Sequence, residues 1–179
     1  MKSGLKSVLA TSFYFLLVLI LVFLVVTYVC QRIEVVGTSM SPTLEDNDHL
    51  LVDKITYRFK DPQRFDIVVF PFKYEPDTHY IKRVIGLPGE RVYIDTEGKI
   101  YINGAVLEEG YGNDTITDPG RAYEEIKLGE NEYFVLGDNR NNSQDSRDPV
   151  VGNIARSEII GRAFMRVFPL KNLGIIKHQ

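Results

Sequence analysis

From Val8 to Cys30 the chain carries no charged residue, and most positions are Leu, Val, Ile, Phe or Tyr. As a helix rising 1.5 Å per residue, this run is about 34 Å long, enough to cross a bilayer core with some tilt. After Cys30 no stretch keeps a helical period for several turns. Short β-branched and aromatic runs recur instead, at 49–55, 66–72, 80–85, 91–94, 99–102, 133–136 and 159–168. Asp95-Thr96-Glu97-Gly98 and Asn103-Gly104 predict tight turns, and Pro88-Gly89 and Asp118-Pro119-Gly120 are further breaks. The expected fold is mainly β: a folded-over antiparallel sheet or partly open barrel with a small insertion, preceded by one transmembrane helix. The expected boundaries are a cytoplasmic tail over 1–7, an anchor over 8–30 and an extracytoplasmic domain over 31–179. An exposed loop or small insertion is expected at about 103–125, because Glu108–Glu125 is rich in Gly, Asp and Glu.

The apolar run reads as an uncleaved anchor. A cleaved leader has an apolar region of about 7–15 residues and ends in small residues. Here the run ends in Val26-Thr27-Tyr28-Val29-Cys30. Lys2, Lys6 and the amino terminus precede the span, which favours an inside tail and a domain on the outer face of the cell membrane. Tyr28 is expected at the outer interface. The chain has 179 residues and a formal net charge of −3, and residues 1–30 carry no acid, so the domain itself is the acidic part. That argues against nucleic acid as a partner. The single cysteine excludes an internal disulfide, and the three histidines share no ligand-like spacing; no metal and no cofactor are expected.

Two residues carry candidate chemistry. Ser39 lies in Gly37-Thr38-Ser39-Met40-Ser41-Pro42, after the β-rich run Ile33–Val36. As composition this is an ordinary turn. A serine at a strand end, followed by a Pro-started turn, also suits an exposed nucleophile with backbone N–H groups nearby. Lys82 lies in Tyr80-Ile81-Lys82-Arg83-Val84-Ile85. Strand alternation puts Tyr80, Lys82 and Val84 on one face and Ile81, Arg83 and Ile85 on the other, so each face carries one cation and periodicity does not choose between them. An ordinary lysine leaves about one amine in 2,500 neutral at pH 7; action as a base demands burial in apolar surroundings. The third segment, Gly137–Arg147, reads by composition as a long polar turn.

As a set and in order, these stretches resemble the motifs of type I signal peptidases. The segment Gly-Asp-Asn-Arg, then Asn-Ser, then Asp-Ser-Arg is similar to the last of them. Arg64-Phe65-Asp66-Ile67-Val68 resembles the family's Gly-Asp-Ile-Val strand with Phe65 where glycine is usual, and Ile160–Ala163 leading to Phe168-Pro169-Leu170 resembles its closing strand. The resemblance implies a membrane-anchored serine endopeptidase that removes signal peptides from exported preproteins, cutting after small residues at Ala-x-Ala sites. It implies Ser39 as nucleophile and Lys82 as base, Ser143 orienting Lys82, and Asp145 and Arg147 supporting the dyad through a salt bridge. Some members place a serine two residues before the nucleophile. Here that position is Gly37, so the backbone N–H of Ser39 is the expected oxyanion donor. Val35, Met40, Leu44 and Ile81 are the pocket residues implied. Preprotein signal peptides, the lipid bilayer and the secretion translocon are the implied partners. Thr56–Phe65, alternating aromatic and basic residues, is expected to touch the lipid interface. The alternative is a non-catalytic anchored module that binds exported chains. A self-cleaving repressor would carry a DNA-binding domain, and a sortase-like enzyme a catalytic cysteine away from the membrane edge.

Overall fold

The structure, a computed structural model, describes residues 2–112 and 114–177; within the first helix side chains are described at Lys6 and over 9–23, and in the longest strand at all positions but Pro76. The apolar run is helical: α1 spans Lys2–Tyr28. Its described side chains from Leu9 to Phe23 are exposed. Among the described residues no helix is long and apolar enough to cross a membrane. Much of the expected tail over 1–7, together with Val8 and residues 24–28 of the expected 8–30 span, Tyr28 among them, lies outside the described side chains.

The rest is β, as the alternation predicts. The strands are β1 (Cys30–Glu34), β2 (His49–Asp53), β3 (Ile67–Phe72), β4 (Glu75–Gly86), β5 (Arg91–Ile94), β6 (Ile100–Ile102), β7 (Ala105–Val106), β8 (Ile126–Lys127), β9 (Glu132–Leu136), β10 (Ile154–Ala155), β11 (Gly161–Phe168) and β12 (Gly174–Ile175). A short α-helix, α2, covers Thr56–Phe59. Among the described residues an antiparallel sheet runs β1-β2-β11-β3-β4-β9-β10 with β12 on β11, and a smaller sheet runs β7-β6-β5-β8. Neither closes into a barrel. The large sheet folds over, because β1 and β4, separated by β2, β11 and β3, border one groove.

β4 is the axis of this arrangement. Among the described residues His79–Lys82 pairs only with β3, while β9 pairs with the strand from Arg83 to Gly86. The edge facing the groove at Ile81 and Lys82 is therefore open. Both faces of β4 are covered: Val84 packs with Val68, Phe70, Tyr133 and Val135, Ile81 with Val35, Met40 and Leu50, and Ile85 with Val92, Leu128 and Phe134. That two-sided cover is why both Lys82 and Arg83 are buried.

The segment after β7 is largely exposed but tied down. Ile116 and Ala122 are buried against β5 and β6, and its polar groups brace the Gly137–Arg147 segment, so its acidic composition serves ion pairs as well as solvent. Thr56–Phe65, expected to touch the lipid interface, presents only part of its aromatics outward. Tyr57 is buried with its hydroxyl donating to Asp66 Oδ2 at 2.8 Å. Phe65 packs with the small-sheet core and tilts against Tyr111 at 5.0 Å. Only Phe59, 82% exposed, faces away. Phe65 has φ 71, a backbone conformation that favours glycine. It is held by its N–H donating to Val84 O at 2.8 Å and its carbonyl accepting from Arg83 Nη1 at 2.9 Å.

Candidate active site

Ser39 sits in the turn after β1. The strand ends at Glu34, earlier than the β-rich run suggests, but Val35 still pairs, its N–H donating to Asp48 O and its carbonyl accepting from Asn47 N. Gly37 takes φ 90, and its N–H donates to Asp46 Oδ1 at 2.7 Å. The loop is clamped from far along the chain. Asn139 N–H donates to Ser39 O at 3.0 Å, the Asn139 amide to Thr38 O at 3.1 Å, and the Asn142 amide to Thr38 Oγ1 at 2.9 Å. The Ser39 N–H takes no partner among the described residues.

Lys82 reaches Ser39 from β4. Its Nζ lies 2.8 Å from Ser39 Oγ and donates to Ile81 O at 3.0 Å. The side chain is 4% exposed, and burial pushes its pKa down to about 8 against the opposing pull of the Asp145 and Asp138 charges. Neither carboxylate is within ion-pair distance of it. Asp138 is engaged by Arg83, whose Nε and Nη2 donate to its two oxygens at 2.8 and 2.7 Å in a fully buried fork. Asp145 is engaged by Arg147, whose Nε and Nη2 reach its oxygens at 2.9 Å, and it also accepts from Gly137 N–H at 3.1 Å. A buried ammonium without a carboxylate of its own is the group most readily neutralised.

Ser143 lies in the same region. A Cβ on Gly137 would meet Ser143 Oγ at 2.2 Å and Ser39 O at 2.5 Å, so glycine lets these three segments close up. Ser143 Oγ is buried and has no hydrogen-bond partner among the described residues. The Lys82 bond implied for it by resemblance is absent in this state, in which the amine is directed at Ser39 and Ile81.

Ser39 and Lys82 border a groove of about 540 Å³ between the edges of β1 and β4. Val35, Met40 and Ile81 line it, together with Ile33 and Val36 of the β-rich run before Ser39. Leu44 does not line it; it is fully buried in the core cluster that holds Met40. The sequence also missed Asn139, Asn142 and Thr38, and the Glu109–Arg140 ion pair that braces the loop, in which Arg140 Nη2 donates to Glu109 at 2.7 Å. The polar run 137–147 gave the only signal for the first two.

The Ser39 hydroxyl and the buried Lys82 amine thus meet beside the open edge of β4. Comparison with known proteins agrees with a peptidase. The family described as signal peptidase, peptidase S26, matches residues 8–168. The chain is 40% identical to a probable signal peptidase I-2 of Synechocystis sp. over 84% of its own length and 68% of the relative's. It is 43% identical to a signal peptidase I of Leptolyngbya laminosa over 83% and 73%, and 37% identical to signal peptidase I P of Bacillus subtilis subsp. natto over 88% of each chain. A crystal structure of a signal peptidase I from Enterococcus faecalis aligns with a TM-score of 0.48 at 36% identity, covering 57% of this chain and 97% of the other. The chain belongs to the signal peptidase family, peptidase S26, and is an enzyme of that class.

Proposed function

We propose that the enzyme removes signal peptides from exported preproteins through a Ser39–Lys82 dyad and an acyl-enzyme. The observation that carries this reading is the 2.8 Å approach of a buried Lys82 amine to Ser39 Oγ. Neutral Lys82 takes the Ser39 proton as Oγ adds to the scissile carbonyl. The oxyanion that forms is met by the Ser39 N–H, since Gly37 N–H is committed to Asp46. The charged Lys82 then protonates the leaving amine as the C–N bond breaks, and the neutral amine left behind activates water to hydrolyse the ester. An ammonium has three N–H bonds, and two are aimed at Ser39 and Ile81. Ser143 Oγ is assigned as the third acceptor, with Asp145 and Arg147 fixing the segment that carries it.

The substrate strand adds between β1 and the open edge of β4. Its alternate side chains enter shallow space walled by Ile33, Val35, Met40 and Ile81, which suits small residues of the Ala-x-Ala kind. Anchoring at the cell membrane by residues 8–30, with the N-terminus inside and the domain on the outer face, belongs to the same proposal. It is supported by the uncharged run and by the exposed apolar side chains of α1. Lipid and the translocon are partners on that basis.

The test uses the full chain in lipid with a preprotein bearing an Ala-x-Ala site. Cleavage at that site by the wild type, lost in Ser39→Ala and in Lys82→Met, is the expected result. Cleavage surviving Lys82→Met removes Lys82 as the base. Binding without turnover by the folded wild type favours a non-catalytic module.

A further inference from the structure

Beside Lys82, one contact joins two segments at the rim of the groove. Tyr80 OH donates to Gln144 Oε1 at 2.7 Å, and Gln144 Nε2 donates to Asp148 Oδ2 at 3.1 Å. Tyr80 belongs to β4 and Gln144 to the Gly137–Arg147 segment, and both border the groove beside Lys82. The Tyr80 ring lies 5.0 Å from Lys82 Nζ and stacks flat on Phe72, with centroids 4.7 Å apart and planes 2° apart. Stacking holds one side of the ring, and the Gln144 bond holds its tip.

Resting on the reading of Lys82 as the base, we propose that Gln144 is a positioning residue: through its bond to Tyr80 it keeps the ring across the open side of the groove and water away from the Lys82 amine. The pair also ties β4 to the segment carrying Ser143, at the place where a mobile ring would expose the dyad.

Two effects of the ring oppose each other. Its face attracts an ammonium, which favours the charged form. Its bulk excludes water, which favours the neutral form. Burial is the largest cause of the amine's lowered pKa, and the ring 5.0 Å away belongs to the cover around it, so exclusion is the effect proposed to prevail. The other charges around Lys82 are accounted for. Asp138 and Asp145 are held in forks by Arg83 and Arg147. Glu34 on β1, and Asp77 and His79 on β4, stand along the groove, and Asp148 lies beyond Gln144.

The test is the pH dependence of kcat/KM on an Ala-x-Ala peptide for the full-length wild type, Gln144→Leu, Tyr80→Phe and the double variant. Each single substitution removes the bond while leaving the ring. The acid limb is expected to move up by about half to one pH unit in either, the size of one hydrogen bond's net effect read as a pKa. The double variant moves no further than the larger single, because both remove the same bond. Limbs superimposed on that of the wild type, even with activity uniformly lowered, overturn the proposal and leave the pair a packing contact. So does a double shift equal to the sum of the singles. A wild type that cleaves nothing overturns the peptidase reading itself, and is told apart at that first step.

Discussion

Lys82 and Arg83 are neighbours in β4 and both are buried, yet only Arg83 meets a carboxylate. Arg83 spends its charge in a fork with Asp138, while the Lys82 amine faces a serine hydroxyl and a carbonyl. Guanidinium stays protonated in proteins, whereas an amine yields its proton when desolvated. The division of labour between the two cations is set by what each face of the strand offers.

With Lys82 as the proposed base, activity is expected to depend on deprotonating it. With its pKa lowered to about 8, the reactive neutral form grows as pH rises through that value. The acid limb of kcat/KM is expected near pH 8, with tenfold loss for each unit below it. A steady-state profile on a peptide substrate reads this directly.

The same burial costs stability. An unfolded lysine has a pKa of about 10.4. Between that value and about 8 the unfolded chain binds the proton and the folded one does not, so stability rises with pH across this window. Below pH 8 the charged amine costs the fold about 3 kcal/mol. Lys82→Met is therefore expected to abolish cleavage while stabilising the protein at pH 7 by as much as about 3 kcal/mol, with the gain shrinking toward pH 10. Urea unfolding at the two pH values measures both.

Removing the partner of Arg83 acts in the opposite direction. Asp138→Asn leaves a fully buried guanidinium without its counter-charge, and a loss of about 3–5 kcal/mol is expected from the denaturation midpoint. An equally stable variant would mean that Phe65 O and the Tyr111 ring, 3.8 Å from the Arg83 guanidinium carbon, suffice to hold it.

Glu109 is expected to matter to catalysis although it lies outside the groove. It neutralises Arg140, which is nearly inaccessible and whose Nε donates to Gly137 O at 3.0 Å. Glu109→Gln should cost about 2 kcal/mol and lower kcat. A double-mutant cycle with Arg140→Met separates that pair from the rest of the brace.

Gly137→Ala probes the close approach behind the dyad. The added methyl meets Ser143 and the Ser39 carbonyl well inside contact distance, so one of the two segments must shift. Displacement near 1 Å costs about 10²-fold in rate. The expected outcome is that loss in kcat with the far-ultraviolet spectrum of the wild type retained.

Much of this was legible in the chain. The β-branched runs at 66–72, 80–85 and 133–136 became β3, half of β4 and β9, because alternation and turn chemistry are local. Ser39 and Lys82 were singled out through motif order, and the two side chains meet at 2.8 Å. Which cation in β4 is free was not, since Asp138, which decides it, lies 55 residues downstream of Arg83. Nor was the role of 107–121, whose acidic composition looks like solvent-facing loop until Arg140 and Arg147 are placed against it. The tie between Tyr80 and Gln144 depends on a fold-over that no local pattern encodes.

The clamp on the Ser39 loop has a consequence for synthesis. Lys82 is 43 residues beyond Ser39, and Asn142 is 104 residues beyond Thr38. Contacts of such long loop closure are made late, when most of the chain is present. While the chain emerges from the ribosome, the serine therefore exists for the time of about a hundred further residues without the segment that holds it in place. A nascent enzyme is thus an unarmed one, and its own unfolded strands pass that interval without a working protease beside them.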